Sequence, residues 1–289
     1  TYPNLRDKFL KDEKEKKEKF EQLPKIQPWK ENAMEAAKTK IEEDKARELA
    51  NKISENQDKL QDYGSIITVE MKNGKEGLKY EINQGSDSNV KLKIKGSNED
   101  EKLDFVLYSV KNEEHEEITY IKDYDQEKKS YNEYVYSKKS TENYSLLVFK
   151  YSVHALLPTF FVAAFADPVR VMENDEYKAG EYVNDGITYE NKVNYYSSGE
   201  KNLTIEIHQK YVSGEPIKDE TPADDEDEVE EYAKETKMSI TYDNLVIKSI
   251  DGSTKSNLNN NSSFKANVEL KKTLNIDLPA GWEKLLGNN

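Results

Sequence analysis

The residues of this chain that could do chemistry are few and poorly spaced for it. The three histidines, His115, His154 and His208, stand in separate segments, and His115-Glu116 lacks the second histidine that completes an HExxH zinc helix. His154 lies among apolar neighbours and reads as a core histidine. Asp123, Asp125 and Glu127 alternate like the ligands of a cation loop. Counted from Asp123, however, an EF-hand needs Gly at its sixth position and Glu at its twelfth, where this chain has Lys128 and Tyr134. That stretch reads as a hairpin turn. The chain has no cysteine, which removes disulfides, thiolate metal ligands and cysteine nucleophiles together. No G-x-S-x-G elbow, P-loop or G-x-G-x-x-G occurs, so hydrolase, nucleotide and dinucleotide chemistry lack local support. The expectation is a protein that is not an enzyme, with no catalytic residue, metal site or cofactor.

The feature that stands out is apolar. Residues 146–171 (LLVFKYSVHALLPTFFVAAFADPVRV) form an island in a chain that is 35% charged, with a mean hydropathy of -0.97. A spanning helix needs about 20 uninterrupted apolar residues, and Lys150, His154 and Pro158 interrupt this one. It must therefore be buried against something. One reading is plain core, since burying about ten large side chains contributes on the order of 20 kcal/mol before entropy is subtracted. The other is a ligand element, in which Leu156, Leu157, Phe160, Phe161 and Phe165 touch an acyl chain. A second candidate surface is aromatic: Tyr131, Tyr134 and Tyr136, with Tyr189, Tyr195 and Tyr196, could stack on a glycan or meet a protein partner, or simply cover sheet faces. The acidic run 223–231 (ADDEDEVEE) reads as a solvated loop or helix start, able at most to collect calcium weakly.

Composition narrows the partners. A net charge of -14 and a pI near 4.9 argue against nucleic acid, which needs a concentrated basic face. Arginine, the bidentate phosphate reader, occurs only at Arg6, Arg47 and Arg170. Nineteen tyrosines in a 10% aromatic chain favour strands and half-wet surfaces. Thr1 opens straight into polar sequence. Either the protein is cytosolic or the chain follows a removed leader and, with it, a lipidated cysteine; the expectation is the second, an extracytoplasmic protein tethered at the cell surface and touching the membrane only through that anchor. The Lys- and Asn-rich composition suits a low-GC Gram-positive bacterium.

Organisation along the chain follows from hydrophobic period. Residues 1–29 form a charged arm broken at Pro24 and Pro28, and residues 30–289 a single domain. From Lys30 to Asp62 an apolar stripe through Met34, Ala37, Ile41, Ala46, Leu49, Ile53 and Leu60 predicts a helix with one face on a core. After Gly64 the period becomes 2, and six short runs separated by turn clusters such as Asn73-Gly74 predict an antiparallel meander. The island can open as a strand over 145–151 and then reads as a short helix over 153–165. Strands are expected to resume at 169–172, 186–196, 203–211, 237–242, 245–250 and 263–276. The fold class is α+β: a strongly curved antiparallel half-barrel of about eleven strands, an N-terminal helix across it, and the short apolar helix on its concave face.

That order resembles the LolA and LppX group of extracytoplasmic lipoprotein carriers and lipid-binding lipoproteins. Two local stretches carry the likeness: the helix-to-strand entry Leu60-Gln61-Asp62-Tyr63-Gly64-Ser65-Ile66-Ile67-Thr68-Val69 and the closing Asn275-Ile276-Asp277-Leu278-Pro279-Ala280-Gly281-Trp282. The resemblance implies a half-barrel whose apolar cavity is plugged or gated by mid-chain helices, and hence a lipid or other apolar small molecule as ligand. The alternative function is a cell-surface interaction or structural protein with a solid core and a protein or glycan partner.

Overall fold

The computed structural model describes residues 39–98, 101–114, 116–137, 144–217 and 230–286. The charged arm, the start of the expected helix at Lys30, His115 and most of the acidic run lie outside them. Thirteen strands form one sheet, β1 (Thr39–Ile41), β2 (Gly64–Asn73), β3 (Glu76–Gln84), β4 (Val90–Asn98), β5 (Glu101–Lys111), β6 (Glu117–Asp125), β7 (Ser130–Ser137), β8 (Gly180–Asn184), β9 (Ile187–Ser197), β10 (Leu203–Gly214), β11 (Ala233–Asp243), β12 (Val246–Ser256) and β13 (Asn261–Lys271). Among the described residues three α-helices accompany it: α1 (Glu43–Asn56), α2 (Tyr144–Phe165) and α3 (Pro168–Glu173).

The strand order is β1-β9-β10-β11-β12-β13-β2-β3-β4-β5-β6-β7, with β8 beside β1 on β9. Two meanders, β2 to β7 and β8 to β13, are joined where β13 pairs antiparallel with β2, from Ser262 opposite Asn73 to Lys271 opposite Gly64. The sheet is not closed. Because β7 and β8 sit at opposite ends, the connection between them must cross the whole sheet. The apolar island is that connection, as α2 and α3.

Strict alternation makes one face apolar. A row of directly opposed residues runs from Ile205 through Ile240, Ile250, Ala266, Val69, Tyr80 and Ile94 to Phe105. Every member is buried and belongs to the main core. The side chains between them in sequence, such as Lys79, Lys93, Lys95 and Lys265, point to the other face. Helix α1 lays Ala46, Leu49, Ala50 and Ile53, an i, i+3, i+4, i+7 stripe, against the same core beside β9, β10 and α3. On the opposite face a small second cluster forms where Leu278, Trp282 and Leu285 cover Ile118, Tyr120 and Val135.

Several expectations are corrected. Thirteen strands replace about eleven. The long N-terminal helix is shorter: Thr39–Ile41 is a strand paired with Ser197 to Tyr195, and Gln57–Leu60 is a 3-10 turn after α1. Residues 145–151 are helical within α2, because Leu146 to Phe149 are consecutive apolar residues with no period-2 alternation to make them a strand. Residues 169–172 are helical too. There the Asp167 carboxylate accepts the Val169 amide at 3.0 Å and Pro168 occupies the first turn, a capping arrangement that outweighs the strand preference of Val169 and Val171. The last strand ends at Lys271, not at Ile276.

Candidate functional site

Helix α2 has two unlike apolar sides. At about 100° per residue, Tyr151, His154, Pro158, Phe161, Val162 and Phe165 share the side that meets the sheet. Phe105 of β5 receives the Tyr151 ring edge-on at 5.0 Å and the His154 ring at 5.7 Å. The Tyr151 hydroxyl donates to Asp123 Oδ2 at 2.9 Å, and burial, then that carboxylate, push the phenol well above its ordinary pKa. Further along, Phe161 packs on Phe264 of β13 at 4.2 Å. Phe165 lies between Phe161 at 4.9 Å and Tyr177 at 5.5 Å, and its carbonyl accepts the buried Tyr242 hydroxyl of β11 at 2.6 Å. Among the described residues no helix is long and apolar enough to cross a membrane.

The other side of α2 carries Phe149, Val153, Leu156, Phe160, Ala163 and Ala164, a row with no polar member. Val153 and Leu156 are half-buried, Ala163 and Ala164 are exposed, and Phe160 is 60% exposed. A surface helix ordinarily turns charge outward on this side. The five sequence candidates therefore divide. Phe161 and Phe165 are core anchors, Leu156 and Phe160 lie on the outward row, and the side chain of Leu157 is outside the described set. Pattern alone did not separate them because both sides are apolar; only the position of the sheet does.

The remaining candidates are scattered. Asp125 closes the β6–β7 hairpin by accepting the amides of Glu127 and Lys128, both at 3.0 Å, as a turn residue does. His154 faces the core, whereas His208 on the opposite face meets Glu235 at 2.6 Å. Among the described residues no group of His, Asp and Glu is placed to hold a metal ion. The tyrosines split by strand parity. Tyr131 is exposed on the opposite face, near Tyr124 at 5.1 Å, and donates to Asp104 at 2.8 Å. Tyr134 and Tyr136 stack at 6.3 Å on the apolar face, while Tyr189 and Tyr196 are buried. They make no single aromatic strip. Sequence reasoning missed Tyr211 and Tyr232, whose rings flank the Lys234 ammonium at 3.7 and 5.3 Å. Only the pairing of β10 with β11 brings that clamp together, and pairing between strands leaves no local trace in the sequence.

One carboxyl has a measurable consequence. Glu176 is half-buried beneath β9, where its backbone carbonyl accepts the Asn191 amide at 2.6 Å, and burial raises the pKa of its side chain. A carboxyl raised on folding binds its proton better in the native state, so its contribution is present at acid pH and is lost as pH rises through the folded value. Glu176→Gln is expected to raise the melting temperature at pH 7 and to change it little at pH 4.

In comparison with known proteins, no family model, no curated protein and no solved structure matches this chain.

Proposed function

We propose that this chain is a non-enzymatic, extracytoplasmic, surface-tethered protein that holds a lipid-like apolar ligand along the outward row of α2. The observation that carries the reading is Phe160, a large aromatic left 60% exposed in an all-apolar row in the C-terminal half of the chain's most apolar helix. Leu156 and Phe160 are the contacting residues; Phe161 and Phe165 hold the helix in place beneath them. Water against such a row costs about 25 cal/mol for each Å² of apolar surface, which an acyl chain recovers on docking. The half-barrel form is also supported. Between Tyr151 over β5 and Phe165 over β11, α2 rises about 21 Å, while six strand steps span about 29 Å in a flat sheet. A sheet bowed around the helix brings both contacts within reach.

The alternative is a surface interaction protein whose α2 row meets another protein. The close packing of Phe161 on Phe264 and of Tyr151 on Phe105 favours it, because that seam between helix and sheet is filled. Titration with a fluorescent long-chain fatty acid separates the two. Saturable binding by the wild type that falls at least tenfold in Leu156→Asp/Phe160→Asp, with the circular dichroism unchanged, supports the lipid reading. No uptake by the wild type supports the protein partner.

A further inference from the structure

The face of the sheet turned away from the helices carries a charge pattern that runs against the rest of the chain. Every outward position of β4 before Ser97 is a lysine: Lys91, Lys93 and Lys95. Strand spacing sets them about 6.7 Å apart along the strand. Lys79 of β3 stands directly opposite Lys95, a like-charge pairing that costs stability in a sheet. Lys102 of β5 and Lys122 of β6 extend the field. The carboxylates on the outward positions of β2 to β6 are Glu70, Glu81 and Asp104, which stand opposite Lys79, Lys93 and Lys95. Glu70 is engaged by Lys72 at 3.0 Å, Asp104 accepts the Tyr131 hydroxyl at 2.8 Å, and with Lys72 the outward lysines number seven against these three. Lys79, Lys93, Lys95 and Lys102 are exposed, and Lys79 acts electrostatically on Glu70 across the β2–β3 pair. This happens in a chain of net charge -14.

We propose that this face docks on an anionic lipid bilayer. The lysines spread over four neighbouring strands as a field bordered on the β6 side alone, by the segment that carries Leu278, Trp282 and Leu285, which fits a broad partner surface better than a single extended polymer chain. At physiological salt, charges beyond about 8 Å are screened, so the lysines at the contact outweigh the acidic remainder of the molecule. The surface is independent of the ligand row, since α2 lies on the other face of the sheet. Docked this way, the molecule turns α2 away from the headgroups.

Sedimentation of the full chain with vesicles of phosphatidylglycerol and phosphatidylcholine tests the proposal. At about 1 kcal/mol per lysine near an anionic surface, each removal weakens partitioning about fivefold. Lys79→Gln/Lys93→Gln/Lys95→Gln is therefore expected to bind on the order of a hundredfold more weakly. Wild-type binding should fall with added salt and vanish on pure phosphatidylcholine. These side chains are exposed and Lys79→Gln/Lys95→Gln relieves a like-charge pair, so a cooperative melt at or above the wild-type temperature shows that the variant is folded; Glu113→Gln/Glu114→Gln serves as a control outside the field. Wild type that ignores anionic vesicles at low salt overturns the proposal, as does a triple variant that binds them equally. Binding of inorganic polyphosphate through these lysines without vesicle binding overturns it in favour of a phosphate polymer. Fatty-acid uptake is read separately, so failure here leaves the α2 reading standing and the converse.

Discussion

Phe165→Ala is expected to cost about 3 to 5 kcal/mol of stability, whereas Phe160→Ala, five residues earlier in the same helix, should change it by no more than about 0.5 kcal/mol. Urea unfolding of both variants measures the contrast. Phe165 is 2% exposed, and its ring is held between Phe161 and Tyr177. Truncation leaves a void where the helix turns toward α3, and it loosens the backbone carbonyl that satisfies the Tyr242 hydroxyl. Burial places that hydroxyl far above its ordinary pKa, so ionisation offers no escape from an unpaired state. Phe160 has no such neighbours. Equal losses in the two variants would mean that α2 sits the other way round on the sheet, and the division between anchors and outward row would fail with it.

The second large effect is expected at Gly96→Val. Gly96 lies on the apolar face between Leu78 and Leu103, and a Cβ there would meet the Gly77 carbonyl oxygen at 2.1 Å and the Leu78 Cα at 2.8 Å. Both are backbone atoms of β3, so no rotamer relieves the clash and the two strands must part. A loss of about 3 kcal/mol or more, or a failure to fold, is expected. Gly252 on β12 faces the same side, opposite Met238 and Phe264, yet a Cβ there has its nearest neighbour at 3.8 Å. Gly252→Ala should be neutral or stabilising by up to about 1 kcal/mol, because alanine narrows the unfolded ensemble. Thermal melts of the pair test whether the β3–β4 approach is as close as described.

These contrasts show what was legible in the sequence. Strands were, because each buries one face and alternates: Val69 and Met71, Ile82 and Tyr80, Leu92 and Ile94 announce themselves at period 2. The mid-chain helix and its position between two strand sets were legible from length and apolarity. The strand preference of Val169 and Val171 misled because the cap at Asp167 acts over three residues and leaves little trace in a periodicity. The joining of β13 to β2 was beyond reach, since pairing across some two hundred residues leaves no local signal. The candidate site was half legible. The island marked the helix that carries the exposed apolar row, but Phe160 and Phe161 are equally apolar neighbours, and only packing on Phe264 tells an anchor from an exposed side chain. The same logic selects the variant for testing: Asp at position 161 would bury a charge against Phe264, while Asp at position 160 meets water.

The most direct test of the central claim is native mass spectrometry of the purified wild type and of Phe160→Asp, followed by organic extraction and lipid analysis of each. The account predicts a wild type that carries an apolar adduct and a folded Phe160→Asp that has lost it. A wild type that is free of lipid and stays so after incubation with added lipid would contradict the account, and α2 would then be core on one side and a protein-binding row on the other.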